Sequence, residues 1–595
     1  MSILKYKKNS TKMFTNKRLL GVFMIFGLVF VLVIGRLFYL MVSNSKVYKT
    51  KALQQWTSQI SIPAKRGRIL DRNNNELAVS VEAYRIDIDM NTLRQSLKSK
   101  SITMDQLANK LSIILSKSSK EISDILYLKS PNGMPVKFAT LARKIDKAQA
   151  DKIKELKISG FIVSSDSKRV YKNNNFLAST LGYTNSEDSG VSGVELSYNK
   201  ELSGIPGQKI LETDNVGNQL PYEDSQYIAP VDGKDLVLTI DQTIQLYAEQ
   251  AAEKALTANK AKSVTITVMN PKNGEILAMV NKPDYNPNDP NGAKNKTGEE
   301  IAASWKNNAV QNTFEPGSIF KVITSYAAIS ENVVNDETRF PDPGYVMVDG
   351  YPINEWNLTG FPDQTFQDII KNSSNVGFVK LGVDLLGKDK LFKYINLFGF
   401  GQRTGVDLPG ESKGIVRSID KTNKFDLATI SFGQGISVTA MQYLAAFNAV
   451  ANGGTWITPH VMKEFVHVDS NTNKQVLDTT YNNFNKKEIL DPNMSSTLRT
   501  YLRKVVTDGV GKAAEVPGLD IAGKTGTAQK SSTKGGYAPG KYMSSFAGMS
   551  PANDPKITML ISIDEPDSNN YYAGQTAAPV AKELFQEIFD YMNSK

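Results

Sequence analysis

Phe314-Glu315-Pro316-Gly317-Ser318-Ile319-Phe320-Lys321-Val322-Ile323 passes from a turn into an apolar helical pattern that continues through Tyr326-Ala327-Ala328. Pro-Gly bends the chain and sets Ser318 at a helix N-terminus, where the macrodipole favours a developing alkoxide. Lys321 lies three residues on, hence on the same helix face and within proton-transfer reach of the hydroxyl. An ordinary lysine is protonated near neutral pH, so it serves as a base only if burial or a neighbouring cation lowers its pKa. Lys524 is a candidate for that cation. The competing reading is the plain start of an amphipathic helix. Ser43–Lys46, Ser165–Lys168 and Ser418–Lys421 share the Ser-x-x-Lys spacing but lack this context.

Two further strings complete a catalytic set. In Ser373-Ser374-Asn375, the Ser373 hydroxyl can relay a proton to a leaving amine and Asn375 can orient a substrate amide. A turn or helix start between Ile369-Ile370-Lys371-Asn372 and Val376-Gly377 fits the same residues. Lys524-Thr525-Gly526-Thr527 stands in Ile521-Ala522-Gly523-Lys524-Thr525-Gly526-Thr527-Ala528, which reads as a strand edging the site. Its small residues let a substrate backbone lie close, while lysine and the threonine hydroxyls can hold a carboxylate. A second Lys-Thr-Gly at Lys296-Thr297-Gly298 sits in a polar stretch and reads as a solvated loop.

Around these motifs the pattern is α/β. Leu236 to Ile240 is strand-like, and Asp241 can cap a helix with apolar positions Ile244, Leu246, Ala251, Ala252 and Ala255. Val264–Asn270 and Ile276–Asn281 form a predicted hairpin across Lys272-Asn273-Gly274. Ser545–Met549 and Ile557–Ile563 read as two more strands, and a helix from about Pro579 to Met592 follows. Strands at both ends of this unit predict one sheet joining its N- and C-terminal parts. Upstream, Asn73-Asn74-Asn75 and Pro131-Asn132-Gly133 mark turns in a region of mixed short elements.

The whole chain has 595 residues, enough for two or three folded units. Cysteine is absent, which excludes a cysteine nucleophile, a thiolate metal site and disulfides. His460 and His467 are the two histidines; neither sits near a nucleophile elbow, and both read as structural or surface residues. The net charge is +10, and Lys5, Lys7, Lys8, Lys12, Lys17 and Arg18 precede Leu19 with no acidic residue among them. A nucleic-acid footprint would put such charge on a folded face. Here an uncharged apolar run, Leu19 to Gly35, follows at once and resumes from Leu37 to Val42 beyond Arg36, long enough to cross a bilayer. The basic tail predicts a cytoplasmic N-terminus, and the lack of a small-x-small site predicts an uncleaved anchor with the rest outside the cell.

The three motifs together resemble those of penicillin-binding transpeptidases. Gly399-Phe400-Gly401-Gln402-Arg403-Thr404-Gly405-Val406, Ser431-Phe432-Gly433-Gln434-Gly435 through Thr439, Ser545-Phe546-Ala547-Gly548 and Ala577-Ala578-Pro579-Val580 are similar to segments of that domain. Arg66-Gly67-Arg68-Ile69-Leu70-Asp71-Arg72-Asn73 and the run holding Gly193, Glu195, Tyr198, Leu202, Gly204 and Gly207 resemble the class B pedestal. Two departures are Lys306-Asn307-Asn308, where the family often has Arg-Asn-Arg, and Ile319, where threonine is frequent. No glycosyltransferase domain precedes the pedestal, and the small C-terminal repeats of some relatives are missing.

The resemblance implies a transpeptidase fold, an antiparallel sheet flanked by helices, preceded by an elongated α+β pedestal and one transmembrane helix. Its boundaries fall at 1–18 for the basic tail, 19–42 for the anchor, 43–230 for the pedestal and 231–595 for the catalytic domain. It implies a peptidoglycan D,D-transpeptidase of the bacterial plasma membrane that acts on stem peptides and lipid-linked precursor polymer and is acylated by β-lactams. Ser318, Lys321 and Ser373 are the implied catalytic residues; Asn375, Lys524, Thr525, Gly526 and Thr527 bind substrate. The backbone N–H groups of Ser318 and Thr527 form the implied oxyanion hole. No metal, organic cofactor or nucleic acid is implied. A polytopic glycan polymerase and division or elongation proteins are the implied partners, and Ser431 to Thr439 tilts the reading toward division. A D,D-carboxypeptidase that uses water, a β-lactamase and a catalytically silent scaffold that activates a polymerase are the alternatives; the long pedestal and the anchor argue against the β-lactamase.

Overall fold

A computed structural model describes residues 7–46, 48, 57–212, 226–292, 297–335, 337–469, 472, 474–483, 485–532 and 535–595. Of the three sequence motifs, Lys524–Thr527 lies in a five-stranded antiparallel sheet. Its strands are β1 (Ser263–Met269), β2 (Ile276–Lys282), β3 (Ala522–Ser531), β4 (Tyr537–Ser550) and β5 (Ile557–Asp564), in the order β2-β1-β5-β4-β3. The predicted hairpin is β1–β2, with Ile266 opposite Val280. The sheet joins both ends of the region as expected, because β5 pairs with β1, Ile561 facing Ile266.

Both faces of this sheet are covered, so its central strands are buried on both sides, Thr265, Thr267, Thr558 and Ser562 among the apolar residues. One face carries Val264, Ile266, Val268, Met559, Ile561 and Ile563 against helices α1 (Gln242–Ala258) and α4 (Ala577–Ser594). Met269, Met279, Met549 and Leu560 face the other core, which includes α2 (Lys321–Ser330) and α3 (Ala440–Ala451). Asp241 caps α1 as its sequence predicts, accepting from the N–H groups of Thr243 and Ile244. Leu246 does not join the buried face: it is exposed, while Ile244, Ala248, Ala252 and Ala255 form the inward stripe at helical spacing.

The described residues divide into two compact units, 1–64 with 205–231 and 65–204 with 232–595. In the first, Lys17–Ser43 is long and apolar enough to cross a membrane, with mean hydropathy 2.5 and no buried residue in that span. A three-stranded antiparallel sheet also belongs to it, with Thr57–Ile62 against Gly207–Glu212 and that strand against Gln226–Ile228.

In the second unit, a further sheet carries the chain from the upstream region into the catalytic one. Ile69 and Leu70 pair in parallel with Leu236 and Val237, and also antiparallel with the long strand Glu76–Asp89. A buried ionic cluster secures the same region: Glu195 accepts from Arg66 Nε at 2.7 Å and Arg169 Nε at 2.7 Å. Two guanidiniums on one carboxylate, further bonded to Asn199, Ser203, Ser80 and the Gly67 carbonyl, replace most of the water that burial removes, with Arg169 Nη2 left without a partner. Asn74 and Gly133 have positive φ in the turns read from sequence.

Candidate active site

Ser318 occupies a short 3₁₀ turn, Gly317–Phe320, that runs directly into α2. Several residues fix this turn from outside. Gly317, itself in the left-handed region at φ +55°, donates its N–H to the Gly433 carbonyl at 2.9 Å. The Tyr443 hydroxyl donates to the Ile319 carbonyl at 2.7 Å from the buried helix α3. Strand β3 presses on the other side: a Cβ at Gly526 would lie 2.9 Å from both the Ile319 nitrogen and the Pro316 carbonyl oxygen. That approach brings the backbone around Ser318 beside Gly526-Thr527.

Lys321, the first residue of α2, is wholly buried. Its Nζ donates to the Ser373 carbonyl at 2.6 Å and to Asn375 Oδ1 at 2.9 Å, and lies 3.3 Å from Ser373 Oγ. Lys524 reaches the same hydroxyl from β3, Nζ to Ser373 Oγ at 2.8 Å, and also donates to the Thr525 carbonyl. Two lysines from separate elements thus converge on one serine. Ser373 holds the left-handed conformation at φ +58°, between the helices Phe366–Lys371 and Asn375–Lys380. For a non-glycine residue this conformation is strained and needs support from its surroundings.

Burial pushes the Lys321 ammonium down to about 7, with the Glu355 carboxylate pulling the other way. Lys524 is likewise driven well below the ordinary lysine value, first by burial and then by repulsion from Lys321. Of the two causes open from sequence, burial is the larger at both lysines, and the repulsion between them adds to it. Lys524 has no exposed surface, so it stands behind Ser373 and Thr525, while Thr527 is half-exposed on the same strand.

The structure thus brings Ser373, Asn375, Lys321 and Lys524 into direct contact and sets Ser318, Thr525, Gly526 and Thr527 along the adjoining turn and strand. The look-alikes fare differently. Ser165 and Lys168 lie three apart on a strand and so point to opposite faces, and Ser418 and Lys421 are exposed. Ser43 ends the apolar N-terminal helical stretch. Lys296 lies outside the described residues; Thr297 caps the helix Gly298–Ser304. His460 is buried and stacked on Tyr481, with burial lowering its pKa, and His467 pairs with Asp478 at the surface. Among the described residues no three His, Cys, Asp or Glu side chains gather as a metal site.

Some contributors escape sequence reading. Glu355 binds the Ser374-Asn375-Val376 segment from behind. Trp356 donates its ring N–H to the Asn372 carbonyl and meets Tyr572 edge-on at 6.1 Å, while the neighbouring Ala573 N–H donates to Thr527 Oγ1. Glu315 accepts from Gly435 N–H and the Tyr537 hydroxyl, and burial raises its carboxyl pKa. Only Glu315 carried a signal, its place in Phe-Glu-Pro-Gly-Ser.

Residues 264–586 match the family model of the penicillin-binding protein transpeptidase domain, and residues 61–238 match that of the penicillin-binding protein dimerisation domain. Stage V sporulation protein D of Bacillus subtilis is 35% identical over 97% of this chain and 86% of its own length. Peptidoglycan D,D-transpeptidase FtsI of Buchnera aphidicola is 30% identical over 100% of this chain and 98% of its own. Among solved structures, penicillin binding protein 2X of Streptococcus thermophilus superposes with a TM-score of 0.69 at 26% identity, over 90% of this chain and 80% of that one. With two family models in sequence and full-length relatives at 30% and 35% identity, the chain belongs to the class B penicillin-binding transpeptidases.

Proposed function

We propose that this peptidoglycan D,D-transpeptidase works through an acyl-enzyme on Ser318. The observation that carries the reading is the pair of buried lysines on Ser373 Oγ, one of them brought to about 7 beside the turn that bears Ser318. Neutral Lys321 takes the Ser318 proton as Oγ bonds to the penultimate D-alanine carbonyl carbon. The C–N bond to the terminal D-alanine then breaks, and Ser373 passes a proton to the departing amine. A second peptide's amine attacks the ester and returns the proton to Ser318. The N–H groups of Ser318 and Thr527 hold the oxyanion, each such donor contributing roughly 3 kcal/mol. Asn375 orients the substrate amide; Thr525 and Thr527, backed by Lys524 and given room by Gly526, hold its carboxylate.

A β-lactam enters the same path, and a solved relative, penicillin binding protein 3 of Mycobacterium tuberculosis, is described as complexed with aztreonam. The family matches at 61–238 and 264–586 support a pedestal at 43–230 and a catalytic domain at 231–595. The relatives' names support a role in division or sporulation. Intact-mass measurement after exposure to a labelled penicillin tests the nucleophile. One adduct is expected, lost in Ser318→Ala and kept in Ser165→Ala and Ser418→Ala. Stoichiometric labelling of folded Ser318→Ala would sink the assignment. The same protein given a stem pentapeptide with and without an acceptor amine separates crosslinking from hydrolysis; free tetrapeptide as the main product in both cases would favour the carboxypeptidase.

A further inference from the structure

Glu355 is 1% exposed, directly after the strand Tyr351–Asn354, and all four of its hydrogen bonds go to short stretches of backbone and one hydroxyl. Oε1 accepts from the N–H groups of Asn375 and Trp356, each at 3.0 Å. Oε2 accepts from Val376 N–H at 3.1 Å and from Ser374 Oγ at 2.9 Å. The carboxylate therefore grips the back of the turn whose front, the Ser373 carbonyl and Asn375 Oδ1, is held by Lys321. Trp356, whose N–H the carboxylate also binds, ties in the turn's first residue through the Asn372 carbonyl.

A buried carboxylate needs this many donors, or a counter-charge, to stay ionised. Glu355 has both: burial raises its carboxyl pKa, while Lys321 and the N–H groups of Asn375, Val376 and Trp356 pull it back down. Lys321 is faced in turn by Lys524 from β3, by Glu355, and by the Phe378 ring 5.2 Å away. Asp342 lies one step further out, its Oδ2 3.2 Å from Ser374 Oγ. Between two buried ammonium groups and a strained serine, Glu355 is the carboxylate that couples directly to Lys321.

We propose that Glu355 is a positioning residue for acyl transfer: it holds the Ser373–Asn375 turn in register with Lys321 and supplies a negative charge that acts on Lys321. The proposal rests on the reading of Ser318, Lys321 and Ser373 given above. Glu355 touches no reacting atom. It acts through the position of Ser373 Oγ and Asn375 and through the basicity of Lys321, which its charge raises against the pull of burial.

The test is the acylation rate of the full-length protein by a fluorescent penicillin from pH 5 to 9, with the adduct located by mass. Glu355→Gln keeps the size and one of the two acceptor oxygens but removes the charge. Lys321 then loses its proton more readily, and the acidic limb of the rate profile moves down by about one pH unit, the scale of one lost opposite charge. Glu355→Asp keeps the charge but withdraws it from the turn, so the limb stays nearer the wild-type position while the plateau rate falls about tenfold or more. A Glu355→Gln limb that coincides with wild type in a folded protein overturns the proposal. Should Glu355→Gln not fold, Glu355→Asp decides alone, and a plateau within twofold of wild type overturns the positioning role. Failure of the underlying reading is distinct: wild type itself would carry no adduct at Ser318.

Discussion

A lysine with a pKa near 7 is useful only if it is neutral when Ser318 must lose its proton, and that condition has two measurable faces. The acylation rate should rise about tenfold per pH unit below 7 and level off above it. Lys321→Ala should slow acylation by about 10²–10⁴-fold, the usual contribution of a general base, and abolish the limb. The second face is stability. Between about 7 and the ordinary lysine value of 10.5, the unfolded chain binds a proton that folded Lys321 has given up. Stability therefore increases as pH rises through this window and is lowest below it. The urea midpoint of the wild-type protein should climb from pH 7 to 9, and Lys321→Met should flatten that climb. An unchanged slope in the variant would mean that the lysine keeps its proton in the folded state.

At the scale of elements, the nucleophile and its partners are positioned by the approach of the edge strand β3 to the turn Gly317–Phe320. Gly526 permits that contact, since a Cβ there would sit at 2.9 Å from three atoms, two of them backbone. Gly526→Ala should push β3 outward by a fraction of an ångström to an ångström. A misplacement of that order costs about 100-fold in rate. The expected result is folded protein with slow acylation by any β-lactam, read by stopped-flow fluorescence; a rate within threefold of wild type would show that β3 can shift without consequence. The strands and helix caps of this region were legible because each is a local pattern: Asp241 announces α1, and Lys272-Asn273-Gly274 announces the β1–β2 hairpin. The three motifs were legible because each places its chemistry within four residues. Glu355 was not, for its ligands come from Ser374 to Val376 in another element, and nothing about an isolated glutamate after Asn354 marks it as buried. Leu246 misled for the converse reason: an apolar residue in an amphipathic helix need not lie on its buried stripe.

For the whole molecule, the question is on which side of a membrane this chemistry takes place. By the charge rule for single spans, basic residues before Leu19 and an unburied apolar helix through Ser43 predict the N-terminus inside and the residues after the span outside. Protease added to intact, wall-stripped cells should digest the catalytic region and leave a small protected N-terminal fragment. Recovery of the full-length chain would reverse the assignment. The anchor is also the reason to expect a partner within the membrane, a glycan polymerase. An anchorless form exported through a cleavable signal should be acylated at Ser318 yet fail to replace the intact protein in growth or sporulation. Full replacement would remove that expectation.

The sealing of Lys321 and Lys524 has a consequence for reagents as well as for substrates. An amine that is half neutral at pH 7 is ordinarily the first to be modified by an acylating label, ahead of the many protonated surface lysines. Here both ammonium groups have zero exposure and are tethered by hydrogen bonds. Both buried lysines should thus be passed over by amine-reactive chemistry. Under the proposed mechanism access enforces selectivity for Ser318: an electrophile in this pocket is expected to meet the hydroxyl, while the buried Lys321 stays out of reach.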